Sequence, residues 1–332
     1  NNQYEGRLIR KLESTKACVV GIFRHRPEGA RIVPIERNGK EWSVHEADTH
    51  GAKDGELVEA ERKGLSRTMG LPKARIVTRL GDPSAPKAIS LIALYQHNIP
   101  TDFPTEVLSE AQKSYSLTLE GREDLRSIPL ITIDPPDARD HDDACYARLD
   151  DDPENRGGYI IWVAIADVAA YVTPDSAMDK EARKRGNSVY MPDRVVPMLP
   201  ERLSNDLCSL REQEDRPCMA VRMQIDAQGK KRTHKFVRGL MRSAAKLSYQ
   251  EAQGIFDAQP GVGSTRLDGI LGALWQAYLL MAQARDARAP LIIDKPERHI
   301  DINDQGAIMR IYIPPRLEAH RLIEEMMIAA NV

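Results

Sequence analysis

The chain has 332 residues, with 47 Lys and Arg against 49 Asp and Glu, for a formal net charge of −2. That length suits two domains, each with a sizeable core, and so small a net charge neither demands nor excludes a nucleic-acid partner. Cys18, Cys145, Cys208 and Cys218 show neither a CxxC pair nor zinc spacing, the start carries no signal-peptide pattern, and the most apolar window, 159–172, contains Asp167 and is shorter than the roughly 20 residues of a membrane span.

These features predict a cytoplasmic, non-membrane protein acting as a monomer, its four cysteines buried as free thiols. Residues 1–40 hold nine Lys or Arg and four Asp or Glu, a basic arm of the kind that binds phosphates.

Residues 1–82 read as short strands punctuated by Gly, Asn and Pro: 6–11, 17–23, 30–35, 41–44, 56–61 and 74–80. Five or six such strands with basic outward positions suit a small OB-type barrel that binds single strands by stacking and charge. Phe23, Trp42, Arg24, His25 and Arg26 are its expected RNA contacts, although an aromatic at an alternating strand position more often belongs to the core.

Residues 83–127 change to helical periodicity at 87–97 and 105–114 and form an expected helical linker without chemistry. From 128 a mixed α/β body is expected. It has a buried strand at 159–168, a helix opened by Ser176 and stopped by Gly186, strands at 219–226 and 232–241, and long helices at 265–288 and 317–330. The last helix stops in mid-turn at Asn331-Val332 without a cap, as in a truncated chain.

Asp134, Asp140, Asp142 and Asp143 fall within ten residues, between the β-rich Leu130–Ile133 and Ala144–Ala147. Carboxylates so close repel one another unless a cation of high charge density sits among them. Hard oxygen donors favour Mg²⁺, with Mn²⁺ as the substitute, over zinc or copper. An EF-hand does not fit, because from Asp140 the sixth position is Cys145 and the twelfth Asp151. Solvated acidic loop is the competing reading.

The spacing D-x5-D-x-D-D resembles the catalytic signature of the RNase II/RNase R (RNB) family of 3′→5′ exoribonucleases. The likeness continues in order through Ile165–Val168, Gly186–Glu201, Leu203–Leu210 and Leu322–Glu325. The stretch Pro192-Asp-Arg-Val-Val-Pro197 looks more like RNase R than RNase II. His141 departs from the large apolar residue usual at its place; it is expected to face outward from a strand, with a metal-ligand role as the alternative.

The resemblance implies an α+β multidomain architecture: a cold-shock (OB) domain over 1–82, a linker over 83–127, and the first part of a mixed α/β catalytic domain over 128–332. It implies Mg²⁺-dependent hydrolysis of single-stranded RNA to nucleoside 5′-monophosphates, with Asp134, Asp140, Asp142 and Asp143 as catalytic metal-binding residues and Asp142 the least replaceable. Tyr190 then looks like the residue that stacks a terminal base, Tyr249 like the one near the scissile nucleotide, and Glu324 like the one that reads the ribose. Arg194 and Phe23 complete the expected RNA contacts, with Arg183, Lys184, Arg185, Lys230, Lys231, Arg232, Lys235 and Arg238 as further phosphate guides. The alternative is a fragment that binds RNA without turnover.

Overall fold

A computed structural model describes residues 18–36, 39–63, 70–115, 117–258, 265–291, 295–296, 298–303 and 307–332. The expected strand at 6–11, with residues 1–17 and 37–38 of the basic arm, lies outside them. The chain forms two compact units: residues 1–101, 190–196 and 299–312 make one, and 102–189, 197–298 and 313–332 the other.

In the first unit, β1 (Cys18–Arg26), β2 (Gly29–Pro34), β3 (Trp42–Val44), β4 (Leu57–Arg62) and β5 (Lys73–Gly81) close a barrel in the order β1-β2-β3-β5-β4. Alternation places Phe23, Ile32, Val44, Val58, Ala60, Ala74 and Ile76 inside. Gly21 is required where β1 meets β2, since a Cβ there would lie 2.4 Å from the Val33 carbonyl oxygen. The helix α1 (Pro86–Gln96) packs Ala88 and Ile92 against Val20 and Leu57 of the barrel, so part of the expected linker is barrel cover. Two small ribbons belong wholly or mainly to this unit: β10 (Val189–Met191) with β11 (Arg194–Val196), and β15 (His299–Ile302) with β16 (Ile308–Tyr312).

The second unit is built on a seven-stranded sheet. Its strands are β6 (Glu123–Asp124), β7 (Ile131–Asp134), β8 (Asp143–Leu149), β9 (Tyr159–Ala166), β12 (Asp215–Ile225), β13 (Lys231–Arg242) and β14 (Ala245–Ser248), in the order β14-β7-β8-β9-β12-β13-β6. The pairs β14–β7 and β13–β6 are parallel and the rest antiparallel. Helices cover both faces, which explains the nearly continuous apolar run of β9.

On one face α4 (Tyr249–Phe256), α5 (Thr265–Asp286) and α6 (Glu318–Asn331) bury Leu271, Leu274 and Leu322 against Val163 and Met223. On the other, α2 (Thr105–Lys113) and α3 (Ala177–Arg185) bury Val107 and Met178 with Ala164 and Ala220. The expected cap of α3 forms, Ser176 Oγ accepting from Asp179 N–H at 3.1 Å, and Gly186 ends the helix at φ +80°. Among the described residues no helix is long and apolar enough to cross a membrane.

Candidate active site

The acidic run spans the β7–β8 connection. Asp134 is the last residue of β7, fixed by parallel pairing of β7 with β14 in which Asp134 faces Ser248. Asp143 is the first residue of β8 and pairs with Ile165 of β9. Pro135 and Pro136 cannot continue a ladder, so the chain leaves the sheet at Asp134 and returns at Asp143, with Asp140 and Asp142 on the returning limb.

The loop is pinned from below. Ser209, fully buried, accepts from the His141 N–H at 3.1 Å and donates through the same hydroxyl to the Arg139 carbonyl at 2.9 Å. Leu210 N–H donates to the His141 carbonyl at 2.8 Å, and Ala166 N–H to that of Asp142 at 2.9 Å. The 203–210 segment noted in the sequence thus acts as the footing of the acidic loop. It begins with a π-type turn, Leu203–Leu207.

His141 corrects an expectation: it is 4 % exposed, precedes the strand, and places Nδ1 2.8 Å from Asp134 Oδ2. Burying Asp134 beside other carboxylates requires a polar partner, and the imidazole is that partner.

The electrostatics match a group of carboxylates under mutual strain. Burial, with the charges of Asp134 and Asp142, pushes Asp143 up to about 7, and its Oδ2 is buried without a hydrogen-bond partner. Asp142 has an exposed outer side, yet the protein packed around it, followed by Asp140 and Asp134, raises its proton affinity too. Asp137, in the same run, is simply exposed.

Among the described residues no three His, Cys, Asp or Glu side chains stand as a ready-made metal cage. The donor chemistry nevertheless fits a hard divalent cation: all four groups offer carboxylate oxygen, two resist ionisation because of burial and, after it, their acidic neighbours, and one buried oxygen lacks a donor. Sites for Mg²⁺ commonly use few protein ligands and complete the shell with water and phosphate oxygens.

The expected RNA contacts divide. Tyr249, the first residue of α4, is half-buried, and burial with the charges of Asp143, Asp134 and Glu324 pushes its hydroxyl up to about 12. Glu324 is exposed and held by Arg316 at 2.5 and 2.7 Å, whereas Glu325 is buried and paired with Arg285 at 2.6 Å. Of the two adjacent glutamates, Glu324 is therefore the one that shares its surroundings with Tyr249.

In the barrel unit, Tyr190 is 67 % exposed and Arg194 is half-buried against Asp193 at 2.8 Å. Phe23 is a correction: at 2 % exposure it fills the barrel interior, where its ring cannot stack on a base. Arg24 and Arg26 pair with Asp54 and Glu41, each at 3.4 Å. Arg185 is another structural cation, bonded to Glu181 and to the Asp102 and Pro197 carbonyls. Arg183, Lys184, Lys235 and Arg238 each pair with a carboxylate. Three cysteines are buried free thiols as expected, while Cys18 is exposed.

Sequence reasoning missed Ser209, Arg316 and His320. The spacing of four between His320 and Glu324 was the available signal, since it places both on one helical face. For Ser209 the signal was its place in the Leu203–Leu210 stretch that carries the family likeness.

A cold shock domain model matches residues 33–104. Ribonuclease R of Vibrio cholerae is 39% identical over 340 residues, covering 99% of this chain and 40% of the relative. That of Escherichia coli K12 is 36% identical over 337, covering 99% and 41%. The chain therefore spans about 40% of the length of these relatives.

Among solved structures, Mycoplasma genitalium RNase R in complex with double-stranded RNA superposes with a TM-score of 0.83 at 25% identity, over 98% of this chain and 58% of that one. Yeast Ssd1, described as a pseudonuclease, shares the fold with a TM-score of 0.63 at 16% identity, over 96% and 40%. An RNB domain model matches residues 122–332, a segment that contains the acidic loop, its footing, Tyr249 and Glu324, and by that match the chain belongs to the RNB family.

Proposed function

We propose that this chain carries the catalytic centre of a hydrolytic 3′→5′ exoribonuclease that takes single-stranded RNA and releases nucleoside 5′-monophosphates. The observation that carries the reading is the crowding of four carboxylates at the β7–β8 connection, two of them raised in proton affinity by burial and by one another, inside the RNB-matched segment. The division into a cold-shock domain over 1–82, a linker over 83–127 and a catalytic body from 128, in a cytoplasmic monomer, belongs to the same proposal.

Asp134, Asp140, Asp142 and Asp143 would hold Mg²⁺ or Mn²⁺, which when bound supplies charge compensation to the phosphate and a water of lowered pKa. His141 occupies one oxygen of Asp134 and keeps that carboxylate oriented. Asp142, the most exposed of the four and raised in proton affinity, is suited to accept a proton from the attacking water. Glu324 can accept a hydrogen bond from a ribose 2′-hydroxyl, and Tyr249 and Tyr190 can stack on sugar or base without regard to sequence.

The test is single-turnover digestion, with Mg²⁺, of an oligoribonucleotide labelled on its internal phosphates, by wild type and Asp142→Asn. The reading expects 5′-monophosphate products and a loss of about a thousandfold in rate in the variant, with RNA affinity kept within a few-fold. An unchanged rate would remove Asp142 from the chemistry. The second reading, RNA binding without turnover, rests on the chain spanning about 40% of the length of its relatives. Wild-type affinity with no product would establish it.

A further inference from the structure

The Tyr249 ring is not free to choose its own orientation. His320 of α6 stacks on it, with ring centroids 4.0 Å apart and planes 15° from parallel. The imidazole is itself anchored: Leu317 N–H donates to Nδ1 at 3.1 Å, which places the remaining ring proton on Nε2 in the neutral form. Burial favours that neutral form by lowering the proton affinity of His320.

Both rings sit on helix ends whose positions are fixed. A reciprocal capping box, Ser248 with Glu251, sets the start of α4 at Tyr249. Gln253 Oε1 accepts from Ala319 N–H at 3.0 Å and ties the start of α6 to α4. One turn past His320, Glu324 is gripped by Arg316.

We propose that His320 is a positioning residue for nucleotide recognition: by covering one face of the Tyr249 ring it holds the phenol in the place from which Tyr249 and Glu324 read the ribose, and so sets the preference for RNA over DNA. This rests on the reading that Tyr249 and Glu324 meet the substrate. The physical ground is rotameric. An unbuttressed aromatic at a helix start can occupy other staggered wells, and a stacked neighbour removes them. Because the ring is half-buried and the imidazole covers one face, only its remaining accessible surface can meet a nucleotide.

The experiment measures, by fluorescence anisotropy, the affinities of a short oligoriboadenylate and its 2′-deoxy counterpart. It uses the whole chain in an Asp142→Asn background, so that substrate is not consumed. His320→Asn keeps an acceptor without the stacking ring, and His320→Phe keeps a ring without the acceptor. The RNA-to-DNA affinity ratio is expected to fall about three- to tenfold in His320→Asn, the worth of one aromatic pair, and to stay within about twofold of the parent in His320→Phe.

Melting curves accompany each variant. Should His320→Asn fail to fold, His320→Leu, with bulk and no ring, takes its place with the same expected fall. Tyr249→Ala separates the two levels. If it lowers the ratio while His320→Asn does not, or if His320→Phe falls as far as His320→Asn, the positioning role is overturned and the Tyr249 reading survives. A parent without preference, or a Tyr249→Ala ratio equal to the parent's, overturns both.

Discussion

The barrel and the acidic end of the seven-stranded sheet treat charge in opposite ways. On the barrel, cations and anions are matched: Arg79 grips Glu56 with contacts of 2.9 to 3.1 Å, Lys63 meets Asp48 at 2.6 Å, and Arg31 meets Glu41 at 3.1 Å. Arg79 holds the Glu56 carboxyl below the usual range. At the β7–β8 connection like charges are crowded, and two carboxyls move up instead. Paired charge serves folding, while crowded like charge costs stability and marks a candidate functional site. The aromatic rings differ in the same sense: Phe23 is spent on barrel packing, and Tyr249 stays half-open beside the carboxylates.

The largest effect that would sharpen this contrast is the thousandfold rate loss expected of Asp142→Asn with the fold intact. Next comes the barrel core. Phe23→Ala should lower the denaturation free energy of the barrel by about 3–5 kcal/mol. A loss of RNA affinity at unchanged stability would instead return Phe23 to the RNA surface.

Asp143→Asn probes the strained end. In the folded chain Asp143 keeps its proton up to about pH 7, against an ordinary value of 3.8. Stability associated with its protonated form is therefore complete below pH 4 and is lost as pH rises through 7. Melting in EDTA should show the variant and wild type alike near pH 4 and the variant more stable at pH 8, by on the order of 1 kcal/mol after solvent screening. Added Mg²⁺ should narrow the gap at pH 8 by stabilising wild type. Equal stability across the range would show that the carboxylates are not in conflict.

The smallest effect belongs to the paired charges. Glu56→Gln should cost the barrel no more than about 1 kcal/mol, because the pair lies at the surface with Arg79 open to solvent, and should leave hydrolysis unchanged. A large loss would mean that surface pairing carries more of the barrel than its exposure suggests.

Sequence alone determined the strand-rich first unit, the two helices expected at 87–97 and 105–114 and found at 86–96 and 105–113, and the position of the acidic run between two strands, the second of which begins at Asp143 rather than Asp142. Those features follow from local causes: alternation of apolar residues, proline stops, and charge density that no turn accounts for. Only tertiary structure decided which face a side chain takes when both are chemically plausible. Phe23 went inward because a small closed barrel must be filled, and His141 because buried Asp134 needed a polar partner. Likewise Glu325 went to Arg285, leaving Glu324 near Tyr249, and His320 met Tyr249 from 71 residues away in the chain. Such pairings depend on how helices dock across a sheet, a long-range matter of packing on which local sequence pattern is silent.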